Sequence, residues 1–203
     1  MTTPEILAVL ARFTGESSRY PGIARVWAAD GFLWGTDAAA LACCPIDQLD
    51  IDPADYEPTE KVPPRLIDML APPESYGDPV PLPEVNPQWE PCEECHGLGG
   101  YVIGRDGERH VKFDAADRRI IPCEDCDGDG RFPILVPVLV SDRDGFPYHL
   151  SDHVIVRLRA AGATAVHAPA CRKPAPCRAD VGPIIIVAMP MVSDVVKAKG
   201  GAA

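Results

Sequence analysis

Apolar residues fall at Ile6, Leu7, Val9, Leu10 and Phe13, the three-and-four spacing of one helix face. Thr3 ahead of Pro4 and Glu5 supplies an N-cap, a first-turn proline and a carboxylate at the positive end of the dipole. Gly15 offers a stop. The period then shortens. Ile23–Ala29 and Phe32–Thr36 are apolar runs flanking Asp30-Gly31, which predicts two strands joined by a tight hairpin turn, and Asp37–Cys44 continues in small apolar residues. Further on, Ile134–Val140 reads as a strand that Pro137 assigns to an edge or a bulge. Ser151-Asp152 caps a second helix carrying Val154, Ile155, Val156 and Leu158, which Gly162 closes. Ala163–Ala168 and Ile184–Met189 read as strands around a Pro- and Cys-rich connection, and the tail after Ser193 is expected to fray.

Twelve of the 23 prolines lie between Pro45 and Pro91, a density that rules out long regular elements there. Only a short helix, Pro64–Leu70, is expected. The segment is acidic, with Lys61 and Arg65 its only basic residues. It reads as an extended linker or wrapper over the surface, the alternative being a dedicated partner-binding segment.

Two matched motifs follow. Cys92-Glu-Glu-Cys95-His-Gly97-Leu-Gly99 and Cys123-Glu-Asp-Cys126-Asp-Gly128-Asp-Gly130 both read Cys-x-x-Cys-x-Gly-x-Gly. Two residues between thiols let one turn aim both sulfurs at a single ion, and glycines allow the backbone N–H groups to turn toward those sulfurs. Cys92, Cys95, Cys123 and Cys126 are therefore expected to hold a structural zinc ion, four thiolates leaving no open coordination position. Reduced thiol turns or two disulfides are the alternatives, and His96 is a candidate replacement ligand. A hairpin over Tyr101–Phe113, turning at Asp106-Gly107, would carry the chain between the two pairs. The repeated motif resembles the zinc-binding module of the DnaJ (Hsp40) co-chaperones, which typically carries four repeats and two zinc ions where this chain has two repeats. That resemblance spans 92–130 and implies zinc binding, with a chaperone-like protein-interaction module as one functional reading. Of the remaining cysteines, Cys43, Cys44, Cys171 and Cys177, adjacent Cys43 and Cys44 would point to opposite faces of a strand, so buried thiols are expected.

A formal charge of −11 argues against attraction to nucleic acid by bulk electrostatics. Arg105, Arg109, Lys112, Arg118 and Arg119 lie among Asp and Glu, as a solvated face or as a local nucleic-acid contact. Eight cysteines with a metal motif suit a reducing compartment. The N-terminus lacks a signal-peptide pattern, and the apolar run Ile184–Val192 is too short to span a bilayer, so a cytoplasmic protein without membrane attachment is expected. No nucleophile elbow, phosphate loop or dinucleotide fingerprint is present, and no enzymatic activity is expected.

With the acidic segment and the cysteine hairpin set aside, the remaining order is helix, strand, strand, then strand, helix, strand, strand, strand. That is one α+β motif used twice, two helices on one face of a sheet. Gly31-Phe-Leu-Trp-Gly-Thr36-Asp37-Ala-Ala-Ala-Leu41-Ala is similar to the "ATDGHRLA" strand and turn of the bacterial DNA polymerase sliding clamp. Tyr148–Leu158 through Ile186-Val-Ala-Met189-Pro190-Met191 resembles that family's last helix and terminal "VMPM" strand. The resemblance implies a clamp-like fold split into 1–44 and 132–192 around a linker at 45–91 and a zinc hairpin at 92–131, with a flexible tail at 193–203. It implies work in DNA replication or repair, duplex DNA and clamp-binding peptides as partners, and assembly into a homo-oligomer. It assigns Thr36, Leu41, Met189, Pro190 and Met191 to a partner-peptide pocket, and makes Arg12, Arg19, Arg157 and Arg159 the basic residues on or beside its two helices that would face DNA.

Overall fold

The computed structural model describes residues 1–15, 19–37, 39–64, 66–103, 109–110, 121–126, 128–143, 146–170 and 175–191. The turn at Asp106-Gly107, residues Arg105, Lys112, Arg118 and Arg119, the side chain of Arg109, Cys171 and the tail from Ser193 lie outside them. In chain order the elements are α1 (Thr3–Ala11), β1 (Trp27–Ala29), β2 (Phe32–Thr36), β3 (Ala40–Pro45) and β4 (Tyr76–Pro81). Next come β5 (Gln88–Pro91), β6 (Gly100–Ile103), β7 (Arg109–His110), β8 (Ile121–Pro122) and β9 (Arg131–Ile134). The chain finishes with β10 (Pro137–Arg143), β11 (Phe146–Ser151), α2 (Asp152–Ala160), β12 (Ala165–Pro169), β13 (Cys177–Val181) and β14 (Ile184–Ala188). Two compact units result, one from 1–85 with 137–203 and one from 86–136.

Among its described residues the first unit is α+β, with two α-helices and a large antiparallel sheet ordered β1-β2-β3-β14-β13-β12-β4. Alternation along the central strands assigns the two faces. Leu33, Ala42, Cys44, Ile184 and Ile186 face the same core as Ile6, Val9, Leu10 and Phe13 from the first helical segment and Val154, Ile155 and Leu158 from α2. Trp34, Leu41, Cys43 and Val187 face the opposite way, where Trp27 and Ile23 join them. Cys43 and Cys44 thus lie on opposite faces, and both are buried free thiols, as is Cys177. Desolvation pushes Cys43 and Cys177 up to about 12 and Cys44 up to about 11, so none of the three carries thiolate at neutral pH.

Several local expectations shift when packing acts. The first N-cap is Thr2, one residue earlier than Thr3, because Glu5 reaches back and accepts the Thr2 backbone N–H at 2.7 Å. This helix stops at Ala11, well before Gly15: Arg12, Phe13 and Thr14 donate to carbonyls three residues back, a tightened last turn that drives Phe13 into the core. Pro21–Ala24 forms a 3₁₀ turn where a strand from Ile23 was expected, so β1 begins only at Trp27. The Asp30-Gly31 turn forms as the dipeptide predicts, with φ of 52° and 79°, the left-handed pair that a two-residue hairpin loop requires. The expected strand Ile134–Val140 is divided between β9 and β10; β10 pairs with β11 alone among the described strands, the edge position that Pro137 implies, and the register slips at Val140.

The acidic segment is no loose linker as far as Val85. Short 3₁₀ turns replace the expected helix, one of them over Leu66–Met69. Leu49, Ile51 and Tyr56 pack on the helix-bearing core, whereas Val62, Leu66, Met69 and Leu70 pack on the opposite face. β4 then adds itself to the sheet against β12, with Pro79 and Pro81 on the outermost strand, where a missing N–H is tolerated. Arg25 ties the segment down through Thr59 Oγ1 at 2.6 Å. Among the described residues no helix is long and apolar enough to cross a membrane.

α1 runs so close to β2 that a Cβ on Gly35 would sit 2.4 Å from the Leu10 carbonyl oxygen. Gly35→Ala is therefore expected to lower stability by about 1–3 kcal/mol, read as a lower urea midpoint at unchanged m-value. A variant as stable as the parent would show that this helix–strand contact is not tight.

Candidate metal centre and apolar cavity

The second unit is built around its cysteines. β5, just before the first Cys-x-x-Cys turn, pairs with β9, just after the second, while β6, following the first, pairs with β8, preceding the second. The two turns therefore face each other. Backbone bonds repeat the relation: Cys92 N–H donates to Gly130 O at 2.8 Å, and Cys123 N–H donates to Gly99 O at 3.0 Å.

All four sulfurs lie within 4.8 Å of one another and all four residues are buried. Cys92 and Cys123 sulfurs are 3.8 Å apart, those of Cys95 and Cys126 3.7 Å. Thiolates about 2.3 Å from a common tetrahedral ion would be about 3.8 Å from each other, whereas disulfide sulfurs approach to about 2.0 Å. The geometry suits a shared ion and not a pair of disulfides. Gly99 N–H donates to Cys95 Sγ at 3.2 Å, and Gly130 N–H donates to Cys126 Sγ at 3.1 Å. These bonds stabilise thiolates and aim them. Both glycines have positive φ, 74° and 72°, and a Cβ on either would collide with a carbonyl of the opposite turn, at 2.2 Å for Gly99 and 2.4 Å for Gly130. His96 is exposed and stands outside the tetrad.

Without an ion the thiols are unequal. Desolvation pushes Cys126 up to about 12. Desolvation also raises Cys95, but the Gly99 N–H and the neighbouring thiols outweigh it and bring that group down to about 7. Cys95 thus ionises more readily than Cys126, from which an incoming cation must displace the proton. Among the described residues this tetrad is the one cluster of three or more potential metal ligands.

In the first unit, Thr36, Leu41 and Met189 line one cavity of about 200 Å³. Its other walls include Tyr20, Ile23, Pro63, Leu66, Met69 and Val187. The β3–β14 register makes this convergence: Val187 opposes Leu41, Ala188 opposes Ala40, and Met189 N–H donates to Ala39 O at 3.0 Å. The turn beside it is held by Asp37, whose Oδ1 accepts the N–H groups of Ala39 and Ala40 at 3.1 and 3.0 Å. Thr36 Oγ1 donates to Ala40 O at 2.7 Å. Pro190 and Met191 follow outside the lining, and Met191 N–H donates to His149 O at 2.8 Å. Leu66, Met69 and Pro63 escaped sequence reasoning because they sit in the proline-rich stretch; the apolar triplet Leu66, Met69, Leu70 was the available signal.

The four arginines have different surroundings. Arg12 and Arg19 are exposed. Arg157 is half-buried, bonded to Asp37 Oδ2 and stacked 5.4 Å above the Phe13 ring. Arg159 donates to Leu82 O at 3.0 Å and lies 3.8 Å from Glu84, with 43% of its side chain exposed. Comparison with known protein families, with curated proteins and with solved structures finds no match to the chain.

One cobalt(II) ion per chain is expected to bind with a tetrahedral thiolate spectrum. Its affinity should fall as pH drops, since the bound state needs thiolates and acid restores protons, that of Cys126 among them. Gly99→Ala should weaken binding at least tenfold by a chelator competition, the scale of lost outer-shell support. Unchanged affinity in that variant would mean that the two turns need not interlock.

Proposed function

We propose that this chain is a non-enzymatic, sliding-clamp-like protein of DNA replication or repair, which docks short peptides of partner proteins in the cavity at Thr36, Leu41 and Met189. The convergence of those three residues carries the reading. Met189 is far from Thr36 and Leu41 in the sequence, all three were singled out by resemblance to the clamp's peptide pocket, and they line one apolar cavity. The sheet order supports a clamp-like duplication: α1 is followed by β1, β2 and β3, α2 by β12, β13 and β14, and the two strand triplets meet in mirrored order at β3 and β14. Peptide docking is favoured over encircling DNA, because Arg157 and Arg159 are engaged within the molecule and the net charge is −11.

The tetrad is read as a zinc site bracing an inserted hairpin. Four thiolates in a tetrahedral arrangement suit zinc, whose filled d-shell imposes no competing geometry and no redox chemistry. A closed ligand set makes the ion structural: it would hold the two turns together and leave no place for substrate.

A second reading rests on the other unit, where Trp89, Leu98, Ile121 and Leu135 expose 41%, 54%, 36% and 49% of their surface. It assigns that unit a DnaJ-like protein-interaction role.

The two readings separate by experiment. Fluorescently labelled peptides from the tails of replicative polymerases should bind, and Met189→Glu should weaken them at least about tenfold, the cost of placing a charge in an apolar anchor site. Met189 is 43% exposed, so this change leaves the core intact. Absence of peptide binding, together with suppression of client aggregation that Leu98→Ser abolishes, would favour the second reading. Retention on duplex DNA at low salt, with no peptide binding, would return the function to DNA.

A further inference from the structure

We infer that the docked peptide carries an acidic side chain beside its apolar anchor, read by Arg19 and Lys61 at the cavity mouth. The inference rests on the peptide-docking reading and specifies its partner. Tyr20 and Pro63 line the cavity; Arg19 directly precedes Tyr20, and Lys61 lies two residues before Pro63. Both cations converge on one ring: the Arg19 guanidinium carbon is 5.2 Å from the Tyr20 centroid and the Lys61 ammonium 5.3 Å. Each is exposed, and among the described residues neither lies within ion-pair distance of a carboxylate.

That pairing is unusual in this molecule. The chain carries 30 acidic and 19 basic residues, and Lys61 is one of only two basic residues in the stretch from Pro45 to Pro91. Among the described residues, Arg25 is engaged with Thr59 and Arg157 with Asp37. Glu60 and Asp68 are the exposed acidic neighbours on the same segment, and both stand outside the cavity lining. Two like charges gathered around one ring raise the gain from an incoming carboxylate. An apolar centre with a charged rim is the usual anatomy of a specific docking site: the centre anchors, and the rim selects and speeds encounter. Nucleic acid would satisfy the cations but leave the apolar cavity empty; a peptide with an acidic residue next to a leucine or phenylalanine satisfies both.

The test uses the full chain and three labelled, C-terminally amidated peptides that share a Leu-Phe anchor flanked by Glu, by Gln or by Lys. Amidation removes the terminal carboxylate, so a preference can come only from the side chain. The Glu peptide should bind at least about tenfold tighter than the Lys peptide at low salt, and the gap should narrow at high salt. In the double variant Arg19→Glu, Lys61→Glu the order should reverse, while Arg19→Lys, Lys61→Arg keeps it. Equal binding of all three peptides, still weakened by Met189→Glu, would overturn the inference and leave the docking reading standing. Failure of every peptide to bind would remove the docking reading, and this inference with it.

Discussion

The first unit depends on the antiparallel pairing of β3 with β14. These strands come from opposite ends of the chain, Ala40–Cys43 matching Ala188–Ile185. Pairing them closes a long loop, and only the burial of apolar residues on both faces offsets the entropy of that closure. Once the register is set, alternation assigns every neighbour: Ala42, Cys44 and Ile186 go to the face bearing the two helices, Leu41, Cys43 and Val187 to the other. A slip of one residue would exchange the faces and dissolve the cavity at Met189. The acidic segment then acts as a lining, with Val62, Leu66 and Met69 covering a face that would otherwise expose two tryptophans.

Among the described residues of the second unit, the buried cluster is the four cysteines with Phe132 packed against them. A core that small does not hold a fold by hydrophobic burial alone. The geometry replaces it with mutual constraint. Each turn supplies two sulfurs, a backbone donor to its own second sulfur, and a carbonyl to the other turn's first cysteine. At the glycines at 99 and 130 the two turns approach so closely that their packing rests on contacts that tolerate no Cβ.

Charge is spent locally in this protein. The α2 arginines serve packing: Arg157 bridges Asp37 and the Phe13 ring, and Arg159 collects carbonyls that precede Glu84. Asp37 in turn organises the Thr36–Ala40 turn that shapes the cavity wall. A residue pair separated by 120 positions thus ties α2 to the turn after β2. This is why the α2 arginines, which look free in a linear reading, are engaged within the unit.

What the chain declares by itself is what its neighbours in sequence decide. The Cys-x-x-Cys-x-Gly-x-Gly repeats fix the four sulfurs as one set, Ser151 caps α2 through a bond to Val154 N–H, and Asp30-Gly31 makes its turn. Each is settled within a few residues by backbone conformation and short-range bonds. The helix ends, the strand division at 135–136 and the place of the acidic segment were settled by tertiary contact, because propensity is weak beside burial of Phe13, Leu66 or Met69. Cavity and ion pair depend on register and on which face a segment covers. Those choices are made between residues remote in the chain, where no local pattern carries the information.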